Sequence, residues 1–215
     1  MDSRGEWFFD DATFELYIFP NITAKGPTRG SAHLPPRFSF SLPVLNTLVS
    51  IRGSRAAGEM IAPLPVENLQ IVGFSFSQTR STFLSEPYEV PSAGDWSVFR
   101  GGAMIVESAR NISIVACSFN QTGGNALVFS GSVVDSRVVG NEFTRLGDSA
   151  IVLLGAASID DGTAQTYPNR NLIEFNHVHD YGVYGKQTSA FFQALSANTT
   201  VRNNVMHGGP RAHIK

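Results

Sequence analysis

A chain of 215 residues carrying 42% apolar and 16% charged residues has the makings of one domain with a continuous core, which excludes a disordered polymer. A formal charge of −2 leaves no broad basic face, so the phosphate-neutralising term that dominates nucleic-acid binding has no source and nucleic acid is not an expected partner. No run of about 18 apolar residues occurs, so membrane insertion is not expected, and the start Met1-Asp-Ser-Arg-Gly-Glu-Trp7 lacks the apolar core of a signal peptide. The 20 Gly, 16 Phe and many Ser, Thr and Asn favour an all-β, turn-rich architecture.

Trp7 to Asp11 and Thr13 to Phe19 read as two short strands about Asp10-Asp11-Ala12, a hairpin and entry segment over residues 1–26. Pro27 to Arg37, with three Pro, is a loop, and Val44 to Ile51 a further strand. From residue 44 onward the dominant signal is self-similarity. QIVGFSF from Gln70 aligns with SIVACSF from Ser113, RVVGNEF from Arg137, LIEFNHV from Leu172 and TVRNNVM from Thr200.

The alignment places Ile71, Ile114, Val138, Ile173 and Val201 in one apolar column, and Phe76, Phe119, Phe143, Val178 and Met206 in another. Both are expected to face inward. The column between them reads Phe74, Cys117, Asn141, Asn176, Asn204, which predicts an asparagine ladder at a tight turn, Asn tolerating the left-handed conformation a corner needs. Cys117, the single cysteine, is expected as a packed core thiol. A second strand, Ala126–Phe129 and then Ala150–Leu153, follows at a constant interval across corners containing Gly123-Gly124 and Gly147-Asp148, read as positive-φ turns.

The unequal repeat intervals imply outward loops near residues 80–100, 156–170 and 181–188, where a binding site is expected. In register, His179 and His207 fall in one column just outside Val178 and Met206, about 4.8 Å apart on neighbouring strands. Two imidazoles there can share a substrate, a proton or a metal ion, although Thr144 and Asn120 in the same column fit an ordinary polar surface equally well. Asp180 adjoins His179, but successive strand residues point to opposite faces, so its participation depends on the corner. Two His without a spaced motif are a weak metal signal, and a metal would need a third ligand such as Asp148, so no metal or other cofactor is expected.

Asp148 is the candidate acid or nucleophile of a carboxylate pair, with Asp95 and Asp180 as candidate partners; the competing account makes Asp148 a turn residue capped through Ser149. Carboxylates on adjacent strands would stand near the retaining separation of about 5 Å, and on alternate strands near the inverting range. Tyr184, Lys186, Gln187, Gln193 and Arg211 supply the aromatic, amide and cationic groups that a sugar-binding surface uses. Lys186 and Arg211 also suit a lyase, in which a cation neutralises a uronate and a base removes the adjacent proton.

The segments GEWFFDDATFELYIFP, PSAGDW from Pro91, RGGAMI from Arg100, GNALVFSG from Gly124, GDSAIVLLG from Gly147, YGKQTSAFFQA from Tyr184 and GGPRAHI from Gly208 together resemble right-handed parallel β-helix proteins of the pectin-lyase-like kind, related to secreted carbohydrate-active enzymes. That resemblance implies a solenoid with a groove for polysaccharide or oligosaccharide, and glycoside hydrolysis as the leading activity; a polysaccharide lyase or a non-catalytic glycan-binding or structural module are the alternatives. Asp160-Asp161 and His213-Ile-Lys215 are only faint echoes of the aspartates and Gly-His-Gly of polygalacturonases. Ending at Lys215 directly after a strand, the chain reads as a fragment of a longer solenoid, with edge-to-edge self-association expected. Sequons at Asn21, Asn111, Asn120 and Asn198 point to a secretory route.

Overall fold

The computed structural model describes residues 2–10, 12–19, 41–54, 64–85, 88–91, 96–155, 163 and 166–215. Residues 1–40 and 41–215 form two separate units. In the first, Trp7–Asp10 pairs antiparallel with Glu15–Ile18, and Asp10 Oδ1 accepts the amide of Ala12 at 2.9 Å to close the turn. The expected loop at Pro27 to Arg37 lies outside the described residues, as do Asp95 and Asp160-Asp161.

The second unit is all-β, with no helix among the described residues, and is built from three parallel sheets that the chain visits in turn. The first sheet stacks Gln70–Val72, Ser113–Val115, Arg137–Val139, Leu172–Glu174 and Thr200–Arg202. The second stacks Ser75–Ser77, Ser118–Asn120, Glu142–Thr144, His177–His179 and Val205–His207. The third stacks Val49–Arg52, Gly102–Arg110, Asn125–Val134, Ile151–Leu154, Ser189–Ala194 and Ala212–Ile214. Each circuit runs through all three, and strand order within every sheet follows chain order, an arrangement compatible with a β-helix.

Register follows the repeat alignment residue for residue: Ile114 pairs with Ile71 and Val138, and Phe119 with Phe76 and Phe143. Both columns do face inward, and Ile114, Val138, Ile173, Phe119, Phe143 and Val178 have no exposed surface. The rings of Phe76, Phe119 and Phe143 stack with centroids 4.9 Å apart at each step, the strand spacing itself. Burying each ring contributes about 2–3 kcal/mol, so one repeated aromatic position supplies a large share of the core.

Each circuit turns three times, each time through one residue with φ between 50° and 73°. Asn68, Asn111, Asp135, Arg170 and Asn198 lead into the first sheet; Gly73, Ala116, Gly140, Phe175 and Asn203 join it to the second; Gln78, Gln121, Arg145, Asp180 and Gly208 follow the second. The asparagine ladder exists, but the left-handed residue is the one before each ladder Asn, which itself has ordinary φ. The amide is selected for its two-way hydrogen bonding. Asn141 Nδ2 donates to Asn176 Oδ1, and Asn176 Nδ2 to Asn204 Oδ1, both at 2.9 Å. Cys117, the core thiol, opens the ladder by donating its amide to Asn141 Oδ1 at 2.8 Å.

The corner glycines are likewise explained differently from expectation. Gly123 and Gly147 are not in the positive-φ region; a Cβ on Gly123 would lie 2.3 Å from the Arg80 carbonyl carbon, and one on Gly147 2.2 Å from Gly123 O. Close stacking of backbone on backbone excludes a side chain there. Of the outward loops, the one near 80–100 is largely structural where it is described. Trp96 and Val98 cover an apolar stripe on the outside of the third sheet, formed by Ile105, Val128, Val152, Leu154 and Phe192. Trp96 lies parallel to Phe192 at 6.0 Å, 3° between planes.

Candidate functional site

Period-two alternation along His177–His179 buries Val178 and sends both histidines outward. The parallel register then sets Glu142 beside His177, and Thr144 and His207 on either side of His179. Three imidazoles therefore gather on the outer face of the second sheet, with ring centroids 4.5 Å (His177 to His179), 5.3 Å (His177 to His207) and 5.4 Å (His179 to His207) apart. Nε2 of His177 stands 3.1 Å from Nε2 of His207, so one ring donates to the other when both are neutral.

His179 is held at Nδ1. Its Nδ1 lies 2.9 Å from Asp180 Oδ2, with the Thr144 hydroxyl 3.3 Å away, and its Nε2 lies 3.6 Å from Glu142 Oε1. A carboxylate accepts only, so Asp180 selects the tautomer with hydrogen on Nδ1 and leaves the Nε2 lone pair facing Glu142. The left-handed turn at Asp180, φ 52°, is what swings its side chain back to the face it would otherwise avoid. Beyond this corner lies a shallow depression of about 360 Å³, lined by Asp180, Gly182, Val183, Lys186 and Gly208–Pro210.

The sequence-predicted residues divide into groups. His179, His207 and Asp180 come together as described. Asp148 does not join them at the surface: it is 5% exposed, and a Cβ on Gly185 would fall 1.9 Å from its Oδ1. Its Oδ2 is buried without a hydrogen bond. Burial pushes the Asp148 carboxyl up to about 6, partly opposed by the Tyr88 hydroxyl, and burial together with the nearby Asp148 charge pushes Tyr88 up to about 12. Lys186 borders the depression but folds its ammonium onto the carbonyls of Gly182 and Val183, at 2.7 and 2.9 Å.

Tyr184 is about half exposed, and Gln187 is partly buried close by in sequence. Gln193 pairs in register with Leu153, is exposed, and accepts the Ser196 hydroxyl at 2.8 Å. Arg211 caps the outside of that sheet, its guanidinium 4.9 Å from the Trp96 ring.

Known proteins give no guide here. No family model, no curated protein and no solved structure matches the chain.

His177 and Glu142 are the site residues that sequence reasoning passed over. Their signal was present: the column two places before Thr144 and His179 reads Ser75, Ser118, Glu142, His177, Val205, and alternation sends it to the same face.

Proposed function

We propose that the three stacked sheets form a right-handed parallel β-helix of the pectin-lyase-like kind, and that the protein is carbohydrate-active, acting on a polysaccharide along the outer face of the second sheet and the corner beyond it. The observation that carries this is the row of three imidazoles flanked by Glu142 and Asp180, beside the depression bordered by Lys186. Imidazole faces suit the apolar faces of sugar rings, carboxylates accept sugar hydroxyls, and Nε2 of His179, oriented by Asp180, is placed to exchange a proton with a bound substrate. Hydrolysis remains the leading reaction, with elimination from a uronate as its variant. The sequons at exposed Asn111 and Asn198 fit a secretory route.

A non-catalytic glycan-binding module is favoured by one specific observation, the enclosure of Asp148. A carboxyl covered by Gly185 and Tyr88 has the ionisation of a general acid but not the access, and hydrolysis through it requires the turn at Gly185 to move aside. The deciding experiment is reducing-sugar release, with absorbance of unsaturated uronates, over neutral and acidic polysaccharides for wild type, His179→Ala and Asp148→Asn. Release lost in His179→Ala with the fold intact supports an enzyme at this face. Binding without release, weakened by His179→Ala, supports the module, and neither binding nor release on any polysaccharide rejects the carbohydrate reading.

A further inference from the structure

The imidazole cluster has a property that glycan chemistry does not need. Glu142, His177 and His179 each offer a donor atom, and these atoms all lie within 4.8 Å of one another. Tetrahedral zinc, with bonds of about 2.0–2.1 Å to nitrogen and oxygen, sets neighbouring donors about 3.3 Å apart. Within the trio, His179 Nε2 stands 3.6 Å from Glu142 Oε1, close to that value.

The surroundings of His179 are also those of a ligand. A metal-binding imidazole typically gives its other N–H to a carboxylate, which fixes the tautomer and raises the basicity of the coordinating nitrogen. Asp180 does this to Nδ1 at 2.9 Å and leaves Nε2 as the donor. The parallel register supplies the remaining precision. His177 and His179 come from one strand, Glu142 from the strand before and His207 from the strand after, all on backbone held by ladder hydrogen bonds.

We propose that Glu142, His177 and His179 bind one divalent transition-metal ion, zinc by the chemistry of the donor set, with Asp180 as the carboxylate that orients His179. Two imidazoles and one carboxylate match a zinc site that retains an open position, and imidazole donors discriminate against calcium and magnesium, which take oxygen. The site stands independently of the glycan reading. An ion there occupies Nε2 of His179, so metal loading and proton transfer at that nitrogen exclude one another.

The test is calorimetric titration of ZnCl2 into the untagged, chelator-treated chain near neutral pH, paralleled by Co²⁺ titration followed through its visible absorption. The expected result is one site per chain with the intense cobalt bands of low coordination number. Affinity should fall at least tenfold in each of His177→Ala and His179→Ala, and 10- to 100-fold in Asp180→Asn, which removes the orienting charge and no ligand. Circular dichroism controls for folding, and His213→Gln, outside the cluster, should bind as wild type. Zinc binding that survives the His177→Ala/His179→Ala double variant, or no binding to folded protein at millimolar ZnCl2, overturns the proposal.

Discussion

His179 and Asp180 meet side chain to side chain at 2.9 Å although they are consecutive, because Asp180 takes a left-handed φ of 52° at the very residue where the strand ends. An extended pair would have pointed to opposite faces. The turn therefore performs two tasks with one residue: it bends the chain and orients an imidazole. Asp180→Gly separates them. Glycine relieves the left-handed strain but adds unfolded-state freedom, so stability should move by no more than about 1 kcal/mol. The His179 ring, freed of its acceptor, should shift from the Nδ1–H toward the Nε2–H tautomer, as read by ¹⁵N chemical shifts of the imidazole.

Asp148 should make the fold more stable in mild acid. Its folded pKa, about 6, lies above the ordinary 3.8 because burial disfavours the charge. The folded state therefore binds the proton more tightly, and the corresponding stability, at most about 3 kcal/mol, is fully present below pH ~4 and is lost as pH rises through about 6. Asp148→Asn carries no such charge. Denaturant unfolding at pH 4.5 and 7.5 should show wild type losing stability toward the higher pH relative to the variant. An equal pH response in the two proteins would contradict the burial of this carboxyl.

The ladder predicts a position-dependent loss. Asn176 accepts the Asn141 backbone amide at 3.0 Å and its Nδ2 at 2.9 Å, and donates to Val138 O and Asn204 Oδ1. Asn176→Ala leaves several buried groups unpaired at about 1–3 kcal/mol each, so a loss of at least 3 kcal/mol is expected in urea titration. Asn204, at the outer end of the ladder and only partly buried, should cost about half as much.

Trp96 should prove to be a lid over apolar surface. At 4% exposure, stacked on Phe192, it shields a row of Val and Leu side chains that otherwise faces water. Trp96→Ala should cost about 3 kcal/mol and raise binding of an apolar dye, with the blue-shifted part of the tryptophan emission lost. The other tryptophan, Trp7, is 64% exposed and supplies the red-shifted remainder.

The inward columns, the strand register and the meeting of His179 with His207 were legible in the sequence because each depends on spacing, and parallel stacking converts equal spacing into contact. What was not legible depends on backbone sign and on neighbours remote in sequence. Nothing local distinguishes Ala116 or Phe175 as left-handed residues, and nothing beside Asp148 announces that Gly185 closes over it. His177 and Glu142 were within reach of the same alternation rule that found His179. The column through Asn120 and Thr144 drew attention to one outward position per strand, where a three-residue strand has two.

The side-chain ladder also has a sense of direction. Within the row, Cys117, Asn141 and Asn176 each donate one hydrogen bond to the Oδ1 of the next Asn, while the second Nδ2 hydrogen of Asn141 and of Asn176 returns to a carbonyl of the circuit before, Ile114 O and Val138 O. Linked hydrogen bonds polarise one another, and a bond in the middle of such a row is strengthened by those on both sides. Removing two amides together should therefore cost less than the sum of removing each alone, since the first loss already weakens what the second would break. The corner thus ties each circuit to the one before and the one after through the same amide, and this shared tether holds the spacing on which the histidine face depends.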